Sequence, residues 1–295
     1  MASQPLAGLR VISLALNVPG PVAASRLRAL GAEVHKIEPP GGDPLQAAAP
    51  AWYACLSEGQ QVRRLNLKAP DQRQIFNNLL AQSDLLLSST RPEALRRLGL
   101  VWNSLHTTYP RLCQVAIVGY PAPDENLPGH DLTYQAACGL VQPPGMPRTL
   151  IADLAGAEQA VSAALALLLE RERRGVSGYA QVSLAQAAQD FAAPALHGLT
   201  TAGGVFGGGQ ACYRLYAARE GWIALAALEP HFWVSLLQAL GLEPERGSVQ
   251  DLELAISAQT AEYWESWAQE RDLPILRVLT TLLCTDSKST SNREY

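Results

Sequence analysis

Through the first two thirds of the chain, short apolar blocks alternate with stretches in which apolar positions recur every three or four residues. Leu9-Arg-Val-Ile-Ser-Leu-Ala-Leu16 reads as a buried strand, residues 22–30 as a helix stopped by Gly31, and Ala32-Glu-Val-His-Lys-Ile37 as a second strand. This is the pattern of a strand, helix, strand unit. Its first turn, Pro19-Gly20-Pro21, supplies the dihedrals that a tight turn needs but lacks G-x-G-x-x-G. The topology is therefore Rossmann-like without a dinucleotide fingerprint. Further strands are predicted over residues 64–67, 84–88, 113–118 and 178–184, with helices over 71–81, after Arg91-Pro92, and from 185 to about 196. Such alternation predicts a parallel sheet covered by helices, with ligands gathered at the carboxyl ends of its strands. Arg91 follows one such end, where a guanidinium beside a helix start suits a phosphate.

Residues 129–153 concentrate the candidate chemistry. They run from Gly129-His-Asp131 through a proline-rich loop to Leu150-Ile-Ala-Asp153, which sets His130 and Asp153 at the mouths of two helices. From Leu154 onward the apolar spacing is that of a helix buried on most of its circumference, and Asp153 is expected as its N-cap. A carboxylate there would be held ionised and oriented by unpaired N–H groups and the helix dipole.

Beyond residue 198 the composition shifts. Residues 200–210 hold five glycines in eleven positions, the composition of an interdomain linker or a mobile loop. Two strands flanking Ala-Arg-Glu-Gly221 predict a hairpin, and Glu229-Pro230 opens a helix in which Glu229 is a cap. A helix around 263–269 and a short strand at 275–278 follow. The expected division is a large α/β domain over 1–198, a glycine-rich segment over 199–210, a smaller α+β domain over 211–283, and a disordered polar tail over 284–295.

Composition narrows the classes. Of 295 residues, 48% are apolar and 17% charged, with net charge −4 and no basic stripe, so nucleic acid is not an expected partner. The longest apolar runs fall short of the roughly 20 residues of a bilayer span, and no basic, then apolar, leader opens the chain, which makes the cytoplasm the default. The five cysteines are dispersed without C-x-x-C spacing, and no H-E-x-x-H or Cys/His cluster predicts a metal.

Taken in order, the motifs resemble family III CoA-transferases, the CaiB/BaiF family, which includes formyl-CoA transferase and α-methylacyl-CoA racemase. The resemblance rests on Pro5-Leu-Ala-Gly-Leu-Arg-Val11, Pro19-Gly-Pro21, Leu30 through Asp43-Pro44, Leu65-Asn-Leu-Lys68, Arg91-Pro92, Arg97-Leu-Gly-Leu100, Gly129-His-Asp131, Ala152-Asp153 and Ala227-Leu-Glu-Pro230. It implies a homodimer of interlocked chains, CoA as the substrate thioester, and Asp153 at the position of the family's catalytic aspartate. It also implies CoA contacts from Pro19, Gly20, Lys36, Arg91 and Arg97, and a mobile loop at Gly207, Gly208, Gly209 and Gln210.

The resemblance leaves three readings open. In a CoA-transferase, Asp153 attacks the thioester carbonyl, expels CoA thiolate and becomes an aspartyl-acyl anhydride, later resolved by CoA and an acceptor carboxylate. The N–H groups of Leu154 and Ala155 are then candidate oxyanion donors. In a racemase, His130 and Asp153 exchange the proton on the carbon beside the thioester, supported by Glu229. The loop before Asp153 and the run Asp153-Leu-Ala-Gly-Ala157 incline the reading to transferase. The third reading is a truncated, CoA-binding paralogue, because Pro39-Pro40 and Ser57-Glu-Gly-Gln-Gln61 replace family residues that are usually basic, with Arg63 and Arg64 only displaced substitutes.

Overall fold

The structure is a computed structural model and describes residues 4–243 and 247–279. The expected disordered tail, 284–295, lies outside the described residues. Two compact units divide at Ala193 and Pro194, so that 194–210 go with the second unit.

The first unit contains β1 (Arg10–Ser13), α1 (Pro19–Ala29), β2 (Glu33–Glu38), α2 (Pro44–Ala48), α3 (Pro50–Ser57), β3 (Gln61–Arg64), α4 (Pro70–Leu80) and β4 (Leu85–Ser88). After these come α5 (Pro92–Arg97), α6 (Trp102–Thr108), β5 (Cys113–Val118), α7 (Asp131–Ala137), α8 (Ile151–Arg174), β6 (Tyr179–Ser183) and α9 (Leu184–Phe191). All five strand pairings are parallel, in the order β3-β2-β1-β4-β5-β6. Strand order therefore reverses between β1 and β4, the switch point at which folds of this kind open a crevice.

Period-two alternation fills both faces of this sheet. Leu85 and Leu87 pack with Val115, Ile117 and the residues of α1 and α8, whereas Leu86 packs on the other face with Ile12, Ile37, Phe76, Leu80 and Leu95. Burial of both faces explains the near-continuous apolar strands read from the sequence. The edge strand β3 is the exception, exposed along its length and carrying Gln61, Arg63 and Arg64, charges that discourage edge pairing. It ends where residues 64–67 had predicted it to begin.

Helix α8 is long and apolar enough to cross a membrane by length and composition. Here it packs against α1, α9, β5 and β6. Its buried face is built largely of small residues, Ala152, Ala155, Gly156, Ala157, Ala160 and Ala164, which allow close approach. Gly175, at φ 69°, ends the helix in the left-handed conformation that suits glycine.

The second unit is a smaller α+β body. It has α10 (Ala193–Leu196) at its boundary, then β7 (Tyr213–Ala217), β8 (Trp222–Ala226), α11 (Pro230–Ala239), α12 (Val249–Ile256), α13 (Ala261–Gln269) and β9 (Ile275–Arg277). The strands form an antiparallel sheet in the order β7-β8-β9, with the expected hairpin between β7 and β8. Tyr216, Ile223 and Leu225 pack beneath it on Leu236, Ile256 and Trp264. The unpredicted α12 carries a legible start, since Ser248 Oγ accepts the Asp251 N–H at 3.2 Å in a capping box.

Gly20, near the start of α1, is required by packing. A Cβ at this position would lie 2.1 Å from the Ala15 Cβ and 2.9 Å from Ala15 backbone atoms, none of which can swing aside. Gly20→Ala should therefore destabilise the first unit by about 1–3 kcal/mol, as overpacking does, measured as an earlier urea midpoint with unchanged slope.

Candidate active site

Three loops at the carboxyl ends of β1, β4 and β5 enclose a cavity of about 240 Å³ at the switch point. Leu16, Asn17 and Pro19 come from the first loop, Ser89 and Arg91 from the second, and Gly119, Glu125, Gly129 and His130 from the third, with Tyr134 and Asp153 behind them. Hydrogen bonds tie the loops together. Ser89 Oγ accepts the Leu16 N–H at 2.9 Å, and Asp43 Oδ1 accepts the Asn17 N–H at 3.0 Å.

Asp153 is not the N-cap that the sequence predicts. Helix α8 begins at Ile151 with Leu150 as its N-cap, which makes Asp153 the third helical residue. The first turn is held from outside, since Asp131 Oδ1 accepts the Asp153 N–H at 3.1 Å while Gln135 Nε2 donates both to Asp131 Oδ2 and, at 3.0 Å, to the Thr149 carbonyl. The Leu154 N–H donates to Leu150 O at 2.9 Å and Ala155 lies inside the helix. Neither N–H is therefore free as an oxyanion donor.

Nor is the Asp153 carboxyl held ionised. Burial, and secondarily the neighbouring Asp131 carboxylate, push its pKa up from 3.8 to about 7. Desolvation and like charge outweigh the helix terminus here. The result is an acid poised between its two protonation states near neutrality, the condition that acid–base or nucleophilic work requires.

His130 is the N-cap of α7, as expected, and its backbone is fixed by Thr133, whose Oγ1 accepts the His130 N–H at 3.1 Å and donates to the His130 carbonyl at 2.8 Å. The imidazole is left exposed on the cavity wall. Behind it Tyr134 is buried and packs edge-on against Tyr120. Its hydroxyl fills the space where a Cβ at Gly119 or Gly129 would stand, 2.4 and 2.6 Å away, which explains the glycine of Gly129-His130-Asp131. Burial first, then Tyr120 and Asp153, raise the Tyr134 pKa to about 12, with Arg91 opposing.

Sequence reasoning passed over Asp131, which holds the Asp153 N–H from behind the wall, and the wall residues Asn17, Ser89 and Glu125. Asp131 was legible only as part of a motif, and Asn17 and Ser89 only as loop residues. Glu125, whose buried Oε2 has no hydrogen-bond partner, carried no signal at all.

The other predicted residues scatter. Arg91 and Pro19 line the cavity, and the exposed Arg91 guanidinium makes no hydrogen bond or ion pair among the described residues. Arg97 is exposed in the last turn of α5 and lines neither this cavity nor its neighbour. Lys36 and Gly20 line neither cavity. Gly20 is packed on Ala15, and the Lys36 ammonium is buried between Asp43 at 2.6 Å and Glu38 at 3.0 Å. Lys36 is drawn inward because two buried carboxylates need a cation. Arg64, a displaced substitute for the family's basic run, is also engaged, donating to Gln46 at 2.8 Å and lying 3.6 Å from Glu38.

A second cavity of about 480 Å³ lies along the carboxyl ends of β1 to β4, walled by Leu14, Ile37, Pro39, Pro40, Leu65 and Leu67, with Lys68 at its edge and Leu16 shared with the first cavity. In the second unit, Glu229 is the exposed N-cap of α11. Gly207, Gly208 and Gly209 line a separate cavity of about 690 Å³ with Tyr213 and Arg214. These glycines do more than loosen the chain. A Cβ at Gly207 would stand 1.8 Å from the Thr201 carbonyl oxygen and one at Gly209 2.1 Å from that of Gly203. Arg214 Nη1 donates to the Gly208 carbonyl at 2.8 Å, and Gln210 bridges to Tyr213. Among the described residues no cluster of three or more His, Cys, Asp or Glu side chains could hold a metal ion.

Comparison with known proteins gives these features a context. The sequence model of CoA-transferase family III matches residues 6–295. The chain is 28% identical to the probable fatty acyl-CoA transferase Rv3272 of Mycobacterium tuberculosis, over 92% of this chain and 82% of that protein. It is 33% identical to the beta subunit of succinyl-CoA–L-malate CoA-transferase from Chloroflexus aurantiacus, over 61% of this chain, and spans about half of that relative's length (49%). The crystal structure of Rv3272 superposes with a TM-score of 0.82 at 27% identity, covering 94% of this chain and 84% of the other.

The elevated pKa of Asp153 has a thermodynamic consequence. Between about pH 4 and 7 the native state holds a proton that the unfolded chain has released, so this group's contribution to stability falls as pH rises through that window and then levels off. Asp153→Asn, neutral throughout, should melt above the wild type at pH 8, by up to roughly 4 kcal/mol of stability, and the gap should close towards pH 4. Melting curves across that range check it. A variant that is less stable at pH 8 contradicts the assignment.

Proposed function

Because the chain belongs to CoA-transferase family III, as its match over residues 6–295 establishes, we propose that it moves CoA between carboxylic acids through an acyl anhydride on Asp153. One observation carries this reading. The half-buried Asp153 carboxyl, its pKa pushed up to about 7, lines the cavity at the strand-order switch point, where α/β folds bind ligands.

In the proposed sequence the ionised Asp153 carboxylate attacks the thioester carbonyl, the carbon–sulfur bond breaks, and CoA leaves as thiolate. Attack of that thiolate on the aspartyl carbonyl of the anhydride releases the acyl group as a carboxylate and leaves CoA joined to Asp153. An acceptor carboxylate then displaces CoA, forming its own anhydride, and CoA thiolate takes the acceptor's acyl group and restores Asp153. A carboxylate that burial has left poorly solvated is a better nucleophile than one in water. The first step needs an oxyanion donor other than Leu154 and Ala155, and the unpaired Arg91 guanidinium at the cavity wall offers either that role or a phosphate contact.

The second cavity supports the placement of the cofactor portion of the substrate. Its apolar walls suit a purine, and Lys68 at its edge suits a phosphate. The shared Leu16 would let one extended thioester reach from this cavity to Asp153. The acid and acyl group are proposed only as a class, and the homodimer implied by the family resemblance belongs to the same proposal.

His130 and Asp153 facing one cavity is also the arrangement a racemase would use, so the test separates the two chemistries. With a transferable acyl-CoA, hydroxylamine should trap a hydroxamate at Asp153, detectable by peptide mass spectrometry. An α-chiral acyl-CoA held in D₂O without acceptor should keep its α-proton. Deuterium gain that His130→Ala abolishes, with no adduct on Asp153, would overturn the transferase reading. CoA binding with neither adduct nor deuterium gain identifies a binding paralogue.

Arg91→Ala should weaken CoA binding at least tenfold, about 1.5 kcal/mol or more, if its guanidinium holds a phosphate. Isothermal titration measures this directly. An affinity unchanged within twofold removes Arg91 from the site.

A further inference from the structure

Lys36, Asp43 and Glu38 form a fully buried cluster of one cation and two carboxylates, and the proposed chemistry uses none of them. The Lys36 ammonium, 1% exposed, contacts Asp43 Oδ2 at 2.6 Å and Glu38 Oε1 at 3.0 Å and lies 4.5 Å from the centroid of the Tyr53 ring. Burying charges costs more than an average ion pair returns, so the pair invites a reason beyond stability. The other carboxylate oxygen supplies one. Asp43 Oδ1 accepts two backbone N–H groups, that of Leu45 at the start of α2 and that of Asn17, each at 3.0 Å.

Asn17 lines the Asp153 cavity and stands at φ 66°. This is left-handed backbone, which asparagine tolerates better than most residues but which the chain adopts only where its surroundings require it. Its neighbour Leu16 is tied to Ser89 Oγ. The loop from β1 to α1 is thus clamped on one side from β4 and on the other from the buried pair.

We propose that Lys36 and Asp43 are positioning residues for the substrate cavity. Lys36 orients the Asp43 carboxylate, and Asp43 Oδ1 holds the strained Asn17 backbone so that the cavity wall keeps the acyl group in line with Asp153. This rests on the reading that the acyl group meets Asp153 in that cavity. Asp43 therefore acts on turnover rather than on CoA affinity, since it lines neither cavity and CoA's nucleotide end is assigned to the neighbouring one.

The test compares two double variants that both remove the Lys36 and Asp43 charges and leave Glu38 equally to Arg64, 3.6 Å away, so that they differ only at position 43. Lys36→Met with Asp43→Asn keeps an oxygen acceptor for the Asn17 N–H, whereas Lys36→Met with Asp43→Leu fills a similar volume without one. The asparagine pair is expected to turn over at least tenfold faster than the leucine pair, with CoA dissociation constants, measured by isothermal titration, within twofold of one another. Acetyl-CoA and palmitoyl-CoA with succinate as acceptor, and succinyl-CoA with acetate as acceptor, serve as probes. Equal kcat in the two pairs, or a CoA affinity that falls in step with kcat, overturns the inference, because a merely structural pair would change melting temperature or damage both functions together. If the leucine pair does not fold, Asp43→Asn against Asp43→Ala makes the same comparison, with the same tenfold difference expected. Absence of turnover in the wild type overturns the transferase reading and this inference with it, whereas wild-type turnover with equal variants overturns this inference alone.

Discussion

The carboxylate of Asp131 is the contact on which the site depends. It caps nothing in its own helix. Instead it reaches across to accept the Asp153 N–H, while Gln135, one turn further along α7, holds its second oxygen and the Thr149 carbonyl. The start of α8 is thereby fixed against α7, and the two acids are brought close enough for the charge on Asp131 to oppose ionisation of Asp153. Such an arrangement is unfavourable in isolation. It persists because the rest of α8 is anchored by its alanine-rich face on β5 and β6, and by Arg171, whose buried guanidinium binds Asp84 at 2.9 Å and the Arg111 carbonyl at 3.1 Å. Stability lies along the body of the helix, and the opposed carboxyls sit at its start.

Much of this architecture was legible because it depends on local pattern. The strand from Cys113 to Val118 and the hairpin strand from Trp222 to Ala226 fell where alternation and turn signals put them, and the α/β class followed from the order of elements. Pattern placed Asp153 at a helix mouth, and resemblance gave it the catalytic role. What stayed hidden depends on contacts distant in sequence. The N-terminal boundary of α8 was misjudged by three residues because the acceptor that extends it, Asp131, sits 22 positions earlier. Lys36 was read as a CoA contact from the resemblance, and only the fold shows Glu38 and Asp43 enclosing it. Glu125 has no pattern around it and reaches the cavity only through the path of its loop.

The glycine-rich segment shows the same limit from the other direction. Its composition suggested freedom. Yet Gly204, Gly207 and Gly209 each stand where a Cβ would strike a carbonyl oxygen, and backbone bonds from Phe206 to Leu199 and from Gly209 to Gly204 wind the segment into a compact coil. Glycine here permits close backbone packing as much as motion, a distinction that composition cannot make.

The account stands on the state of one carboxyl group, and that state can be observed directly. Infrared difference spectra of protein carrying carbon-13 in its aspartate carboxyls, taken for the wild type against Asp153→Asn, isolate the Asp153 band as pH is varied. The protonated band should convert to the ionised one with a midpoint near pH 7 in the ligand-free protein, moving lower when Asp131→Asn removes the opposing charge. A midpoint near 4 in the wild type, or one that Asp131→Asn leaves in place, would contradict it.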